Sequence, residues 1–357
     1  LTALVFFGAE PLFHWIFVTI APISEAADKL DPQTIASETA KVTRILSSGL
    51  LAFMVSQVCS FYLESLRRPL LVTVVMYFGV VINLVLDLAF VGGMWGSEPM
   101  GAEGVAWATT GSRWALTVVM FILVVALTPA FRASVAGPLD EARRQFSVGI
   151  GTAISNVAEW GGFNMTWISL AANSVYGYAV QIMGLCFMFY LGIGSATSVR
   201  VAEAFGRGNQ DEIRDAGRLG VAATIIMGLI LAVILILFNG SISRVLVRPD
   251  AILNDIVLAP AIASLLVLAA FATIFDGLQA TASMALRAQE IVWSPSLIHI
   301  GSFFVVMIPA CYWLGLVQGR GAQGMMEGAL IGIGIAGVLQ TILLESKAAR
   351  LPSKRAA

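Results

Sequence analysis

The chain has 357 residues, 58% of them hydrophobic and 12% charged, with a formal net charge of -1 and a mean hydropathy of +0.86. Soluble domains carry about 25% charged residues, so this composition excludes an ordinary soluble domain and leaves a polytopic membrane protein. The near-neutral balance gives no basic field for nucleic acid, and Cys59, Cys186 and Cys311 each fall in an apolar run, where a thiol packs as a small hydrophobe and builds neither a disulfide framework nor a metal cluster.

A helix needs about 20 apolar residues to cross the hydrocarbon. An apolar stub covers about residues 1–8, begins with Leu1 and has no charged region ahead of it that would mark a signal peptide; this start reads as cut. The segment 9–43, with Glu10, Glu25, Asp28, Asp31 and Glu38, reads as a long polar connection. Nine full spans are predicted near 45–63, 70–94, 104–128, 147–170, 176–199, 219–239, 256–286, 291–316 and 324–344. Their apolar runs are continuous and do not alternate with period two, which predicts helices and no barrel.

Cytoplasmic loops are enriched in Lys and Arg. One set of alternate connections holds fourteen of them, including Arg67, Arg68, Arg143, Arg144, Arg207, Arg218, Arg287 and Lys347, and the other holds six, among them Lys41, Arg44 and Arg320. The first set, with the C-terminus, is therefore expected in the cytoplasm, and the segment 9–43 outside.

Two local patterns recur at one offset. Leu66-Arg67 matches Leu286-Arg287, and Gly101-Ala102-Glu103-Gly104 matches Gly321-Ala322-Gln323-Gly324, both 220 residues apart. Transporters are commonly built from such repeats. The second repeat is expected to start near residue 146, so its partner would begin before residue 1. Restoring about two and a half spans gives an all-α polytopic membrane protein of two six-helix bundles related by an internal repeat, lacking here the first two helices and part of the third. Residues 1–130 are then the remainder of the N-terminal bundle, 131–146 a cytoplasmic linker, 147–345 the C-terminal bundle and 346–357 a cytoplasmic tail.

An ionisable residue inside a bilayer is costly and marks a functional site by default. Three carboxylates stand deep in predicted spans: Asp87, Glu159 and Asp276. Asp87 follows Asn83 by four residues, which puts both side chains on one helix face. A carboxylate and an amide oxygen can ligate a small hard cation, or hold a proton. Glu159 is the one charge between Ser147 and Val199, with Ser155 and Asn156 one turn before it. Asp276 carries Thr273, Gln279 and Ser283 at helical spacing, a polar stripe that predicts contact with water or partner helices.

The other groups read as structural. Arg113 and Glu327 are expected within snorkelling reach of a span's end, and Trp107, Trp114, Trp160 and Trp167 as interfacial anchors. His14 and His299 lack partners at metal-ligand spacing. Arg207 to Arg218, interleaved with Asp211, Glu212 and Asp215, reads as a solvated loop helix, and Gly206-Arg207-Gly208 lacks the Lys-Ser/Thr of a phosphate loop.

Taken together, these stretches resemble the multidrug and toxic compound extrusion (MATE) family. The resemblance rests on Leu66-Arg67 before Pro69, Asn83-Leu84-Val85-Leu86-Asp87, Gly101 to Thr109, Gly192-Ile193-Gly194-Ser195-Ala196 through Gly206-Arg207-Gly208-Asn209, and Phe275-Asp276-Gly277-Leu278-Gln279. Arg68 stands where the family has a Gly after Leu-Arg. The resemblance implies a V-shaped pair of bundles that exports organic cations in exchange for H+ or Na+ by alternating access. It also implies ion or proton coupling at Asn83, Asp87 and Thr109, and binding of the substrate or a cation at Glu159, Asp276, Gln279 and Asn156. One branch of the family has a Tyr one turn before the Asp, whereas Ala272 stands here, which turns Asp276 toward direct contact with a cationic substrate.

The reading is thus a secondary antiporter of the plasma membrane, or the inner membrane of a bacterium. It is expected as a monomer with no cofactor beyond its coupling ion, no resident metal, no enzymatic activity, and the lipid bilayer and an organic cation as partners. The alternative is a lipid-linked oligosaccharide flippase, which needs a cationic cavity for its diphosphate. An intramembrane aspartyl protease, which would pair two Asp residues, is disfavoured because Asp87 and Asp276 lack its Gly-x-Gly-Asp and Tyr-Asp contexts.

Overall fold

A computed structural model describes residues 2–14, 32–94, 98–129, 139–164, 170–253 and 256–348. Among these, eight helices are long and apolar enough to cross a membrane. The chain divides into two units, 1–136 and 137–357. Cys59, Cys186 and Cys311 are free and buried.

The first unit contains α1 (Thr2–His14), α2 (Pro32–Ser48), α3 (Leu50–Ser65), α4 (Pro69–Phe90) and α5 (Gly101–Leu127). Much of the expected polar connection 9–43 is therefore helical; its residues 15–31 lie outside the described ones. Glu38, Lys41 and Arg44 break the apolar run of α2 without breaking its helix: Lys41 pairs with Glu103 at 2.6 Å, Arg44 with Glu10 at 2.7 Å, and Glu38 is exposed. At Gly49 the ladder shifts, its N–H bonding Leu46 O at 3.1 Å. The carbonyl of Ile45, released from Gly49, accepts instead from Thr110 Oγ1 of α5 at 3.0 Å, and Thr117 Oγ1 donates to Ala52 O at 2.6 Å. These two hydroxyls fix α5 against α2 and α3, which makes a stable wall of the unit.

Arg113 departs from expectation. It stands in the middle of α5, too far from either end for the short snorkel predicted, and its guanidinium lies over the Phe53 ring, 5.4 Å from the centroid. A ring face is one of the few partners that can hold a cation in an apolar layer.

The second unit contains α6 (Leu139–Asn164), α7 (Leu170–Gly206), α8 (Gln210–Leu246), a two-stranded antiparallel hairpin of β1 (Ile252–Leu253) and β2 (Ile256–Val257), α9 (Leu258–Arg287), α10 (Trp293–His299), α11 (Ile308–Tyr312) and α12 (Gly321–Ala348). The predicted span 147–170 falls on α6, which is not among the eight apolar spans because Asn156, Glu159 and Asn164 interrupt it. Helices α7 and α8 run well past their predicted ends, each over 37 residues. Asn209 caps α8 by accepting from Glu212 N at 3.3 Å, so the charged stretch expected as a loop helix is the first turns of a long one. Between α10 and α11, and again after α11, the chain widens to π-helix over Ile300–Met307 and Trp313–Val317. Pro309 explains the first: it offers no N–H and its ring excludes the carbonyl one turn back, so the ladder opens by a residue.

Helix α9 is the axis of this unit, packed against α7, α8 and α12, and its Thr273, Asp276, Gln279 and Ser283 are all buried. Thr224 Oγ1 and Thr281 Oγ1 join α8 to α9 at 2.8 Å. Thr281→Val is expected to cost about 0.6–1 kcal/mol, measured as unfolding of the detergent-solubilised protein.

The two Gly-Ala tetrads found 220 residues apart take the same backbone. Gly101 and Gly321 have φ of +55° and +54°, each opens a helix, and the N–H groups of Gly104 and Gly324 bond the carbonyl four residues back at 3.4 Å in both. Only glycine takes that φ at little cost. The Leu-Arg pairs differ: Arg67 makes the turn itself with φ +60°, whereas Arg287 is still helical and the turn falls at Glu290, φ +63°.

Candidate functional site

Close approach of backbones builds the site in the second unit. A Cβ on Gly162 of α6 would lie 3.0 Å from the Phe303 Cβ and 2.8 Å from the Met307 methyl, so a side chain there would crowd α6 against the π-helical stretch. Next to Asp276, a Cβ on Gly277 would lie 2.6 Å from the Tyr190 ring. Glu159 of α6 reaches the polar stripe of α9 at Gln279.

There the Gln279 amide is the hub. Its Nε2 donates to Glu159 Oε1 at 2.9 Å and to Asp276 Oδ1 at 3.2 Å, and its Oε1 meets His299 Nε2 at 2.5 Å. Gln279 is 0% exposed, His299 1% and Asp276 4%, while Glu159 is half-buried. The His299 ring leans on Phe303, centroids 5.7 Å apart, and Phe303 in turn on Phe163 at 6.0 Å. Below Glu159, Ser155 Oγ donates to Ser296 Oγ at 3.0 Å and Ser296 Oγ to Gly151 O at 2.7 Å. Arg287 is near enough to act electrostatically on Glu159 and His299. His299 Nδ1 and Arg287 Nε are buried with no hydrogen-bond partner among the described residues.

Both carboxylates touch one nitrogen, so their bonded oxygens are at most about 6 Å apart. Two negative charges at that separation repel by about 3 kcal/mol at an effective dielectric near 20. The amide N–H groups offset part of this, and a bound cation or a proton removes it. Chemically, two acids arranged in this way can share one charge-balancing ligand, a cation or a proton.

Of the residues named from sequence, Glu159, Asp276 and Gln279 meet in this cluster, while Asn156 is exposed and does not join it. His299 was read only as a lone imidazole, yet it is a member; the available signal was that a His within an apolar span is itself an intramembrane ionisable group. In the first unit, Asn83 and Asp87 lie on α4 and Thr109 on the adjoining α5, all half-buried. Asp87 Oδ1 is buried with no hydrogen-bond partner among the described residues. Trp107, Trp114 and Trp160 are exposed on helix surfaces; Trp167 lies outside the described residues. Glu327 pairs with Arg320 at 2.5 Å.

A family model, MatE, matches residues 163–313. A probable multidrug resistance protein NorM of Caulobacter vibrioides is 30% identical over 299 residues, covering 80% of this chain and 62% of that protein. Its namesake from Deinococcus radiodurans is 31% identical over 305 residues, covering 83% and 66%. The chain thus spans about two thirds of the length of these curated relatives. Among solved structures, the eukaryotic MATE transporter AtDTX14 superposes with a TM-score of 0.81 at 18% identity, covering 98% of this chain and 78% of that one. A Pyrococcus furiosus transporter of the MOP superfamily, described as having a binding pocket of reverse polarity, gives 0.74 at 17%, covering 98% and 75%.

Proposed function

We propose that this chain, which belongs to the MATE family, carries the ion- and cation-binding helices of a secondary antiporter that exports organic cations or drugs in exchange for H+ or Na+ by alternating access. The observation that carries the proposal is the Gln279 amide bonded to two carboxylates inside a helical membrane unit. Such a pair binds a monovalent cation or a proton with like chemistry, so the two compete for one site, and competition for one site is what couples their opposite movements. Asn83, Asp87 and Thr109 form a second acceptor in the first unit. Its buried, unpartnered Asp87 oxygen supports a coupling role there, because a buried oxygen without a donor is costly until an ion or proton meets it. A pH unit supplies about 1.36 kcal/mol and 100 mV about 2.3 kcal/mol per charge, enough to drive export without ATP. The protein acts in the plasma membrane, or the inner membrane of a bacterium, as a monomer.

The test is efflux of a fluorescent organic cation from vesicles holding the intact protein, driven in turn by a pH gradient and a sodium gradient, with Asp87→Asn alongside. Ion-driven efflux that Asp87→Asn abolishes supports the antiporter and identifies its ion. Folded protein that moves no cation under either gradient overturns this reading in favour of the lipid-linked oligosaccharide flippase.

A further inference from the structure

Gln279 faces the acids with its amide nitrogen, held there by the two carboxylates and, from the far side of the amide, by one further contact. An amide can flip, exchanging N–H donors for an oxygen. With the nitrogen toward Glu159 and Asp276, the site offers two carboxylates already engaged by donors, and a metal ion would meet the hydrogens of an NH2 group. With the oxygen toward them, the same side chain adds a third hard ligand to two carboxylates, the donor set a small hard cation prefers. His299 Nε2 sits 2.5 Å from Gln279 Oε1. The amide nitrogen faces the carboxylates and the amide oxygen can only accept, so the imidazole is the donor in this contact. The His299 ring is held from behind by Phe303 at the start of the π-helical stretch, and it is too buried to be replaced by water at no cost.

We infer that His299 is a positioning residue that sets ion selectivity: by retaining the Gln279 oxygen, it withholds the third oxygen ligand from the Glu159–Asp276 pair and keeps the affinity for a bare alkali cation low. The inference rests on the assignment of Glu159 and Asp276 as the cation site.

Sodium-dependent thermal stabilisation of the purified intact protein, compared with potassium at equal ionic strength, reads sodium binding without any transport step. Removing the donor in His299→Ala is expected to lower the half-saturating sodium concentration about tenfold. His299→Gln, which places an amide donor where the ring nitrogen stands, should restore the wild-type value. His299→Leu keeps apolar contact with Phe303 and should behave as the Ala variant does, covering the case in which Ala leaves an unstable cavity. The gain must also vanish in the His299→Ala, Gln279→Leu double variant, which has no amide oxygen to turn. Unchanged sodium affinity in folded His299→Ala and His299→Leu, or a gain that survives Gln279→Leu, overturns the inference. Failure of the underlying site assignment gives a different result: Asp276→Asn would then leave sodium stabilisation and ion-driven efflux as they are in the wild type.

Discussion

Asp276→Asn in the intact protein is expected to lower ion-driven efflux of an organic cation at least tenfold while leaving thermal stability equal to the wild type or higher. The two halves of this expectation have one cause. A cation about 4 Å from a carboxylate is attracted by about 4 kcal/mol at an effective dielectric near 20, and Asn forfeits that attraction while keeping the volume. The same change removes the repulsion between Asp276 and Glu159, about 3 kcal/mol at the separation that the shared Gln279 nitrogen permits. That repulsion is present with or without the cation and cancels from its affinity, so the lost attraction of about 4 kcal/mol sets the loss, up to about a thousandfold in cation affinity. The relief of repulsion falls to the folded state, which is why stability does not suffer; strained charge at a working site commonly has this signature. Gln279→Leu should show the opposite pattern, since it leaves both acids without their donor and adds no charge: stability falls. The measurements are gradient-driven efflux from vesicles and thermal unfolding in detergent. An Asp276→Asn protein that unfolds earlier and transports normally would assign these acids to helix packing.

How far this site was legible in the sequence depends on distance along the chain. Asp276 and Gln279 are three residues apart on one helix, so helical periodicity alone put them together. The isolation of Glu159 in an apolar stretch marked it as costly, but its partner stands 120 residues on, and no local pattern encodes that meeting. The separation of Asn156 from the cluster is geometric. On a helix, Ser155 falls about 40° to one side of Glu159 and Asn156 about 60° to the other; the first side turned inward, to Ser296, and the second outward. His299 lies past the turn that follows α9, whose positive φ at Glu290 no periodicity in the sequence encodes. At the level of the fold, apolar runs located the spans, and they missed α2 because Glu38, Lys41 and Arg44 satisfy their charges within the unit or in water while its helix continues.

Gly324, entered in the repeat only as part of a tetrad, proves to be the first rung of a ladder. Gly324, Gly328 and Gly332 recur every four residues on one face of α12, and each meets main-chain atoms of the preceding span. A Cβ on Gly324 would lie 2.6 Å from Gly315 N, one on Gly328 would lie 2.7 Å from Cys311 Cα and 2.8 Å from Ala310 C, and one on Gly332 would lie 3.0 Å from Ser302 O. Lipid supplies no hydrophobic drive for two helices to associate, so close contact of small residues carries the packing. A side chain facing another side chain can be relieved by a rotamer change, whereas here the obstacle is backbone, and relief requires the helices to part. Gly328→Val is therefore expected to destabilise the second unit by about 3 kcal/mol or more, at or above the top of the usual range for overpacking. Gly334, on the same helix, has nothing within 4 Å of its would-be Cβ. Gly334→Ala should stabilise by about 0.5–1 kcal/mol through helix propensity alone. Opposite signs for two glycine substitutions six residues apart, read by unfolding in detergent, would be difficult to obtain from composition or hydropathy and follow only from the contact. Because the span that α12 holds through this ladder includes His299 and the π-helical turns, Gly328→Val should also lower ion-driven efflux under conditions in which the protein is still folded, while Gly334→Ala leaves it unchanged.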